Sequence, residues 1–368
     1  MNKQVILIYP YFCGVSGAYN RYLLLDRLIK ISNLKVKLII MKEKKYNTKF
    51  AKFIYRFFKY LKVESLIIFY CIFKNQFLIT DFNPSIVALI SDKVLIQIHD
   101  VSWVDEKFAR HNIFFYRVFK FFLKHYKNIL TVSKTSMSAI NKVSGREKKI
   151  SYLYNSVNCE FINVSNNIGR DNIDYETDNI HNNIDFNIPN ILYIATLTPR
   201  KSHVDLLEAL SRTNSFFNVN LVGIPTNKKI LDFIKSKKTF EGKNIKSKIN
   251  YFPELSQRDL CILLLFSSAY ISTSMNEGFG IPVLEAQLYK IPLIIRDLEI
   301  NKELFPNAKF FKTTFELADL LEEIKPISKN EIIERKKTLS NISQFNLINK
   351  YNYSNLSNKL KNIILPKK

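Results

Sequence analysis

Apolar residues fall into short unbroken runs separated by longer amphipathic stretches. In the first half, Val5–Tyr9, Leu34–Met41, Val94–His99, Asn128–Val132 and Ile150–Tyr154 are rich in Val, Ile and Leu with little polar alternation. Runs of this kind suit the strands of a parallel sheet covered on both faces. Between them, helical spacing of apolar positions predicts helices over Ala18–Lys30, Lys45–Lys62, Asp105–Lys127 and Ser133–Val143. The alternation restarts at Ile191. Strands are predicted at Ile191–Ala195, Val219–Val222, Ile249–Phe252, Ala269–Thr273 and Pro292–Arg296, and helices at Ser202–Ser211, Lys228–Ser236, Gln257–Phe266 and Pro282–Tyr289. Two helical stretches, about Lys329–Leu339 and Leu347–Ile364, close the sequence.

The break between the halves is compositional. Residues 163–190 hold nine Asn and five acidic residues with few large apolar ones, the composition of a linker or long surface loop. Strand–helix alternation on both sides of it predicts two doubly wound, Rossmann-like α/β domains with an active-site cleft between them. The expected division is a first domain at 1–162, the Asn-rich linker or loop at 163–190, a second domain at 191–345 and a C-terminal helix at 346–368 that packs back on the first domain. A chain of 368 residues has the length for two cores.

Charge alters this picture. The chain carries a net +23, of which residues 1–160 hold +17. That asymmetry points to an acidic partner for the N-terminal half. Nucleic acid lacks support, because no helix-turn-helix, zinc-finger or RNA-binding aromatic motif is present. Four scattered cysteines exclude a disulfide framework and fit a reducing compartment. The N-terminus enters a strand-like run without a signal-peptide pattern, and the apolar run Leu66–Phe73 is far short of a membrane span. A cytoplasmic protein, soluble or peripheral to a membrane, is the expectation.

Candidate chemistry concentrates in the second half. The predicted strand Ala269–Thr273 runs into Ser274-Met-Asn-Glu-Gly-Phe-Gly-Ile-Pro-Val-Leu-Glu285. Gly278 and Gly280 allow backbone N–H groups to approach a ligand, and Pro282 is suited to the first turn of a helix whose N-terminus attracts anions. Glu277 and Glu285 bracket this loop and can accept hydrogen bonds from sugar and ribose hydroxyls. The plainer alternative is a glycine turn with a capping Glu. Earlier, Leu197-Thr-Pro-Arg-Lys-Ser-His-Val-Asp205 follows the first strand of the second half. Ser202 with Asp205 matches a capping box, which would start a helix at Ser202 behind two cations able to neutralise a diphosphate.

Glu277-x7-Glu285 with the intervening Gly-Phe-Gly-Ile-Pro resembles the signature of glycosyltransferase family 4, a retaining family of the GT-B fold. The resemblance implies that Glu277 and the amides of Gly278, Phe279, Gly280 and Ile281 contact the donor sugar, and that Glu285 binds the ribose. It assigns Arg200 and Lys201 to the diphosphate. His99 is matched to a His that faces the donor sugar, with Asp100 orienting it or binding the acceptor. Gly14 and Gly17, after the first strand, fit a loop near the diphosphate and acceptor. No cofactor or metal is expected, since there is no Asp-x-Asp and no His/Cys cluster of metal-ligand spacing; cations and helix termini would offset the leaving diphosphate. The implied reaction moves a sugar from a nucleoside-diphosphate sugar to a glycan, lipid-linked in many relatives, during synthesis of bacterial surface polysaccharide such as O-antigen or capsule. A catalytically silent glycan-binding or scaffold relative and a nucleotide-sugar epimerase of the same fold stay open.

Two N-terminal helices carry cations in stripes, Lys45, Lys49, Lys52, Arg56 and Lys59 on one, and Arg117, Lys120, Lys124 and Lys127 on the other, each beside aromatic residues. A basic stripe flanked by aromatics fits an interfacial helix on anionic lipid, which places the expected site of action at the inner face of the cytoplasmic membrane. Packing of the aromatics on the sheet, with lysines facing water, is the alternative.

Overall fold

A computed structural model describes residues 4–12, 17–42, 48–81, 84–99, 113–145, 150–170, 183–236, 245–343 and 349–365. The chain divides into two compact units, Met1–Ser156 with Leu347–Lys368, and Val157–Asn346.

The first unit is built on a six-stranded parallel sheet, β1 (Gln4–Phe12), β2 (Lys35–Lys42), β3 (Phe77–Asp81), β4 (Val94–Ile98), β5 (Asn128–Thr131) and β6 (Ile150–Tyr152), in the order β2-β1-β3-β4-β5-β6. The second carries β7 (Asn190–Ile194), β8 (Asn218–Val222), β9 (Lys248–Phe252), β10 (Ala269–Ser272), β11 (Leu293–Arg296) and β12 (Lys309–Phe311), in the order β12-β11-β10-β7-β8-β9. Ile6, Ile8, Leu78, Ile96 and Ile129 are buried in one core, and Ile191, Tyr193, Val219, Leu221 and Ile271 in the other, as unbroken apolar runs require when helices cover both faces.

Strand order reverses between β1 and β3 in the first sheet and between β7 and β10 in the second. Loops leaving adjacent strands there diverge and open a crevice at the carboxyl edge. β3 is an element the hydrophobic pattern did not reveal, because it directly follows the apolar stretch of the preceding helix.

Two local expectations are revised. The first part of the Asn-rich stretch is helical: Cys159–Arg170 buries Phe161, Ile162, Ser165 and Ile168. It lies against the helix Lys329–Ser340, where a side chain on Gly169 would come within 2.4 Å of the Ser340 backbone nitrogen. Asn163 and Asn167 are exposed, while Asn166 flanks the buried face and donates to Ile342 O at 2.9 Å, so composition concealed an amphipathic pattern. Residues 171–182 lie outside the described residues. The capping box at Ser202 does not form: Ser202 takes a left-handed conformation (φ 44°) with no side-chain cap, and the helix runs His203–Leu210. At the C-terminus, the helix Tyr353–Ile364 packs on Gly17–Ile31 within the first unit, with Ser32 Oγ 2.6 Å from Ser357 Oγ.

Candidate functional site

Two loops at the β7/β10 switch point of the second unit carry the residues expected at a donor site. After β7 the chain makes a tight 3-10 turn, Pro199–Lys201, before the helix His203–Leu210. After β10 it runs through residues 273–280 to Gly280, whose φ of +82° suits glycine, and enters the helix Ile281–Leu288 with Pro282 in its first turn.

The loops are fastened together by backbone and side-chain bonds. Met275 N donates to Arg200 O at 2.9 Å, and Arg200 Nη1 donates to Asn276 O at 2.8 Å. Thr273 Oγ1 lies 2.7 Å from Ser202 O and 3.1 Å from Lys201 O, and the Tyr193 hydroxyl also donates to Lys201 O. Lys201 Nζ forms a largely buried ion pair with Glu277. Arg296, at the end of β11, donates from Nε to Thr273 O at 3.0 Å and from Nη2 to the Asp205 carboxylate. The structure thus brings Arg200, Lys201 and Glu277 into one network. Arg296, Asp205, Thr273 and Tyr193 are members that sequence reading missed, because their role comes from contacts between strand ends far apart in sequence.

Glu277 and Glu285 occupy opposite electrostatic settings. Glu277 has the Lys201 ammonium against it, and that partner compensates a charge with little access to water. Glu285, in the helix Ile281–Leu288, has no cation or hydrogen-bond donor among the described residues, and burial pushes its carboxyl up to about 8. A carboxyl that still holds a proton near neutrality can both donate and accept hydrogen bonds. Gly278 and Phe279 are buried and Ile281 opens the helix, so these residues form the floor of the loop. His203 is buried and stacked on Tyr193, with ring centroids 4.7 Å apart. Burial, then the Lys201 charge, lowers its pKa to about 4, with the Ala195 backbone pulling the other way.

In the first unit, His99 follows β4 and is held from the end of β3. Its Nε2 is 2.7 Å from Asp81 Oδ1 and 3.1 Å from Gln97 Nε2. Tyr22 donates its hydroxyl to the same Asp81 oxygen at 3.1 Å, and buried Arg21 donates to Gln97 Oε1 and to the carbonyls of Leu153 and Tyr154. Asp81 is the partner that the sequence did not single out. Asp100 and Gly14 lie outside the described residues, and Gly17 is the first residue of the helix Gly17–Ile31.

The expected basic faces part ways. On the helix Ile113–His125, Arg117, Lys120 and Lys124 are exposed while Phe119 and Leu123 pack in the core. Lys45 lies outside the described residues. Lys49 and Lys52 fall on the helix Lys49–Ile68, which continues as a π-helical turn, Phe69–Phe73. Arg56 is exposed, but Lys59 does not join the solvent-facing stripe: it is 6% exposed, beside Val63 and Ile67 on the inward face. The outward face instead presents Phe50 at 73%, Ile54, Phe57, Phe58 at 62%, Leu61, Phe69 and Ile72. Phe50, Ile54, Phe57 and Leu61 step by four, three and four along one stripe, with Phe58 beside it. No helix among the described residues is long and apolar enough to cross a membrane, and among them no group of three or more His, Cys, Asp or Glu is gathered for a metal ion.

Two parallel-sheet α/β units, the second with a basic turn and a two-carboxylate glycine loop at its switch point, make up the GT-B fold. A glycosyltransferase from Rickettsia africae has this fold with a TM-score of 0.70 at 18% identity, each chain covered in full. Anabaena HepE in complex with UDP and glucose has it with a TM-score of 0.63 at 15% identity over 97% of this chain and 98% of that one.

Within that class, residues 175–344 match the model of the family described as Glycosyl transferases group 1. The chain is 26% identical to the O-antigen chain mannosyltransferase RfbU of Salmonella typhimurium over 221 residues, 59% of this chain and 55% of that protein. It is 32% identical over 119 residues to the serotype-specific mannosyltransferase WbdA of Escherichia coli, 32% of this chain and 14% of that one. The chain therefore spans about half of one relative and a seventh of the other.

Proposed function

We propose that this chain transfers a hexose from a nucleoside-diphosphate sugar to a glycan acceptor in the synthesis of a bacterial surface polysaccharide. The observation that carries the reading is the network in which Lys201, paired with Glu277, and Arg200 meet beside the Gly278–Ile281 loop. On entry of the donor, the Arg200 guanidinium and Lys201 ammonium are suited to the diphosphate, and their charge lowers the cost of its departure. Glu277, released from Lys201, accepts hydrogen bonds from sugar hydroxyls while the loop amides face the donor. Glu285, whose burial favours the protonated carboxyl and which has no cation or hydrogen-bond donor among the described residues, is suited to the ribose diol. The names of the two relatives make mannose the first hexose to test. Retention of anomeric configuration and operation without a metal ion are part of the proposal, on the family resemblance.

We place the action at the inner, anionic surface of the cytoplasmic membrane, with a lipid-linked acceptor. The apolar outward face of Lys49–Ile68, with exposed Arg56 and Lys62 and no exposed carboxylate on that helix, supports that placement.

The test is release of nucleoside diphosphate by the purified chain supplied with nucleoside-diphosphate hexoses and extracted acceptor lipid. Glu277→Ala should lower kcat by at least about a hundredfold, the scale of losing one charge-organising group in a desolvated site. Turnover unaffected by Glu277→Ala, or sugar conversion without acceptor, would overturn the reading.

A further inference from the structure

The hydrogen bonds around His99 settle where its proton lies. Arg21 has only donors, so its Nε contact at 3.1 Å must meet the oxygen of the Gln97 amide. The nitrogen of that amide is thereby turned towards Asp81 Oδ1 at 3.3 Å and His99 Nε2 at 3.1 Å. Asp81 Oδ1 thus receives the Gln97 N–H and the Tyr22 hydroxyl, which makes it an acceptor. His99 Nε2 lies 2.7 Å from this oxygen. Two lone pairs do not approach so closely without a hydrogen between them, so Nε2 carries the proton and donates it. The Gln97 N–H then goes to Asp81, and its 3.1 Å approach to His99 Nε2 is a contact between two donors, not a hydrogen bond. The remaining nitrogen, Nδ1, then holds a lone pair in the neutral ring and has no partner among the described residues. The His99 side chain keeps 24% of its surface, whereas Gln97, Arg21 and Tyr22 are buried behind it. With Nε2 occupied, the accessible polar atom is Nδ1.

Arg21 completes the arrangement. Its guanidinium is almost fully buried, and burial lowers its pKa to about 9, opposed by Tyr22 and Asp81. It therefore remains a cation at neutrality and balances the carboxylate through Gln97. Burial, reinforced by Asp81, raises the Tyr22 hydroxyl well above its usual value, so it stays a donor.

We infer that Asp81 is a positioning residue that fixes neutral His99 as the Nε2–H tautomer, presenting Nδ1 as an acceptor for a hydroxyl of the sugar substrate. The substrate class rests on the transferase reading above; the tautomer does not. An acceptor nitrogen selects a hydroxyl donor and rejects a phosphate or carboxylate oxygen. It would lose that selectivity if the ring were free to exchange tautomers.

Nitrogen-15 spectra of the imidazoles in the full chain, recorded above neutrality, test the inference. The His99 resonances can be assigned by their loss in His99→Gln. The expected result is a protonated Nε2 and an unprotonated Nδ1 for His99, a shift towards Nδ1–H or tautomer exchange in Asp81→Asn, and return to the native pattern in Asp81→Glu. Circular dichroism and the thermal transition establish that each variant is folded. Under turnover, Asp81→Asn should lower kcat/KM by at least about tenfold, as loss of an imidazole-orienting carboxylate does elsewhere, and Asp81→Glu should recover part of it. A protonated Nδ1 in the native chain, or a native His99 pattern in folded Asp81→Asn, overturns the inference. If sugar transfer is absent altogether, the transferase reading fails while the spectra still decide the tautomer.

Discussion

Replacement of Glu285 by Gln should stabilise the empty protein, increasingly so as pH rises. Burial raises the Glu285 carboxyl from 4.5 to about 8. Folding therefore favours its protonated form, and the stability attached to that proton is fully present below the unfolded value, declines as pH rises, and is lost by the folded one. If the whole shift were expressed, the native chain would lose roughly 5 kcal/mol relative to a neutral isostere between these limits. The side chain keeps partial access to water, and solvent relaxation reduces the cost, so about 1–2 kcal/mol is the working expectation. For a unit of this size that is a rise of several degrees in Tm. Thermal unfolding of the ligand-free chain and of Glu285→Gln, measured in matched buffers from pH 5 to pH 9, should give nearly coincident transitions at the acid end and a widening advantage for the variant above neutrality. A constant difference across the range, or a variant less stable at pH 9, would refute the argument that burial without a partner governs this carboxyl.

Two further outcomes follow from burial. Phe57→Asp with Phe58→Asp should weaken binding of the chain to anionic phospholipid vesicles by at least about tenfold, since each buried Phe is worth around 2 kcal/mol; cosedimentation unchanged by the pair would sink the membrane placement. His203 has the reverse linkage to Glu285. Its pKa is lowered to about 4, so the stability it confers is present above its unfolded value of 6.5 and is lost as pH falls towards the folded one. His203→Phe, which keeps a ring against Tyr193, should flatten the decline in Tm between pH 6.5 and pH 4; an unaltered slope would show that the decline arises elsewhere.

The apolar runs determined ten of the twelve strands found among the described residues, because a strand buried on both faces must be apolar along its length. The loop 274–285 and Arg200–Lys201 could be singled out as candidates from sequence, since their proposed chemistry depends on residues close together in it. Tertiary structure decided the rest. Helical spacing shows that Lys49–Ile68 has two faces, but either could dock on the sheet. Packing chose the one with Lys59, Val63 and Ile67, and left Phe50, Phe57 and Phe58 outside. The Asp81–His99 contact spans eighteen positions and exists because β3 and β4 pair in parallel with Asp81 opposite Gln97. The contrast between Glu277 and Glu285 depends on which carboxylate the fold sets beside Lys201. Sequence specifies which groups are available, whereas burial and pairing across strands decide their charge, direction and partners.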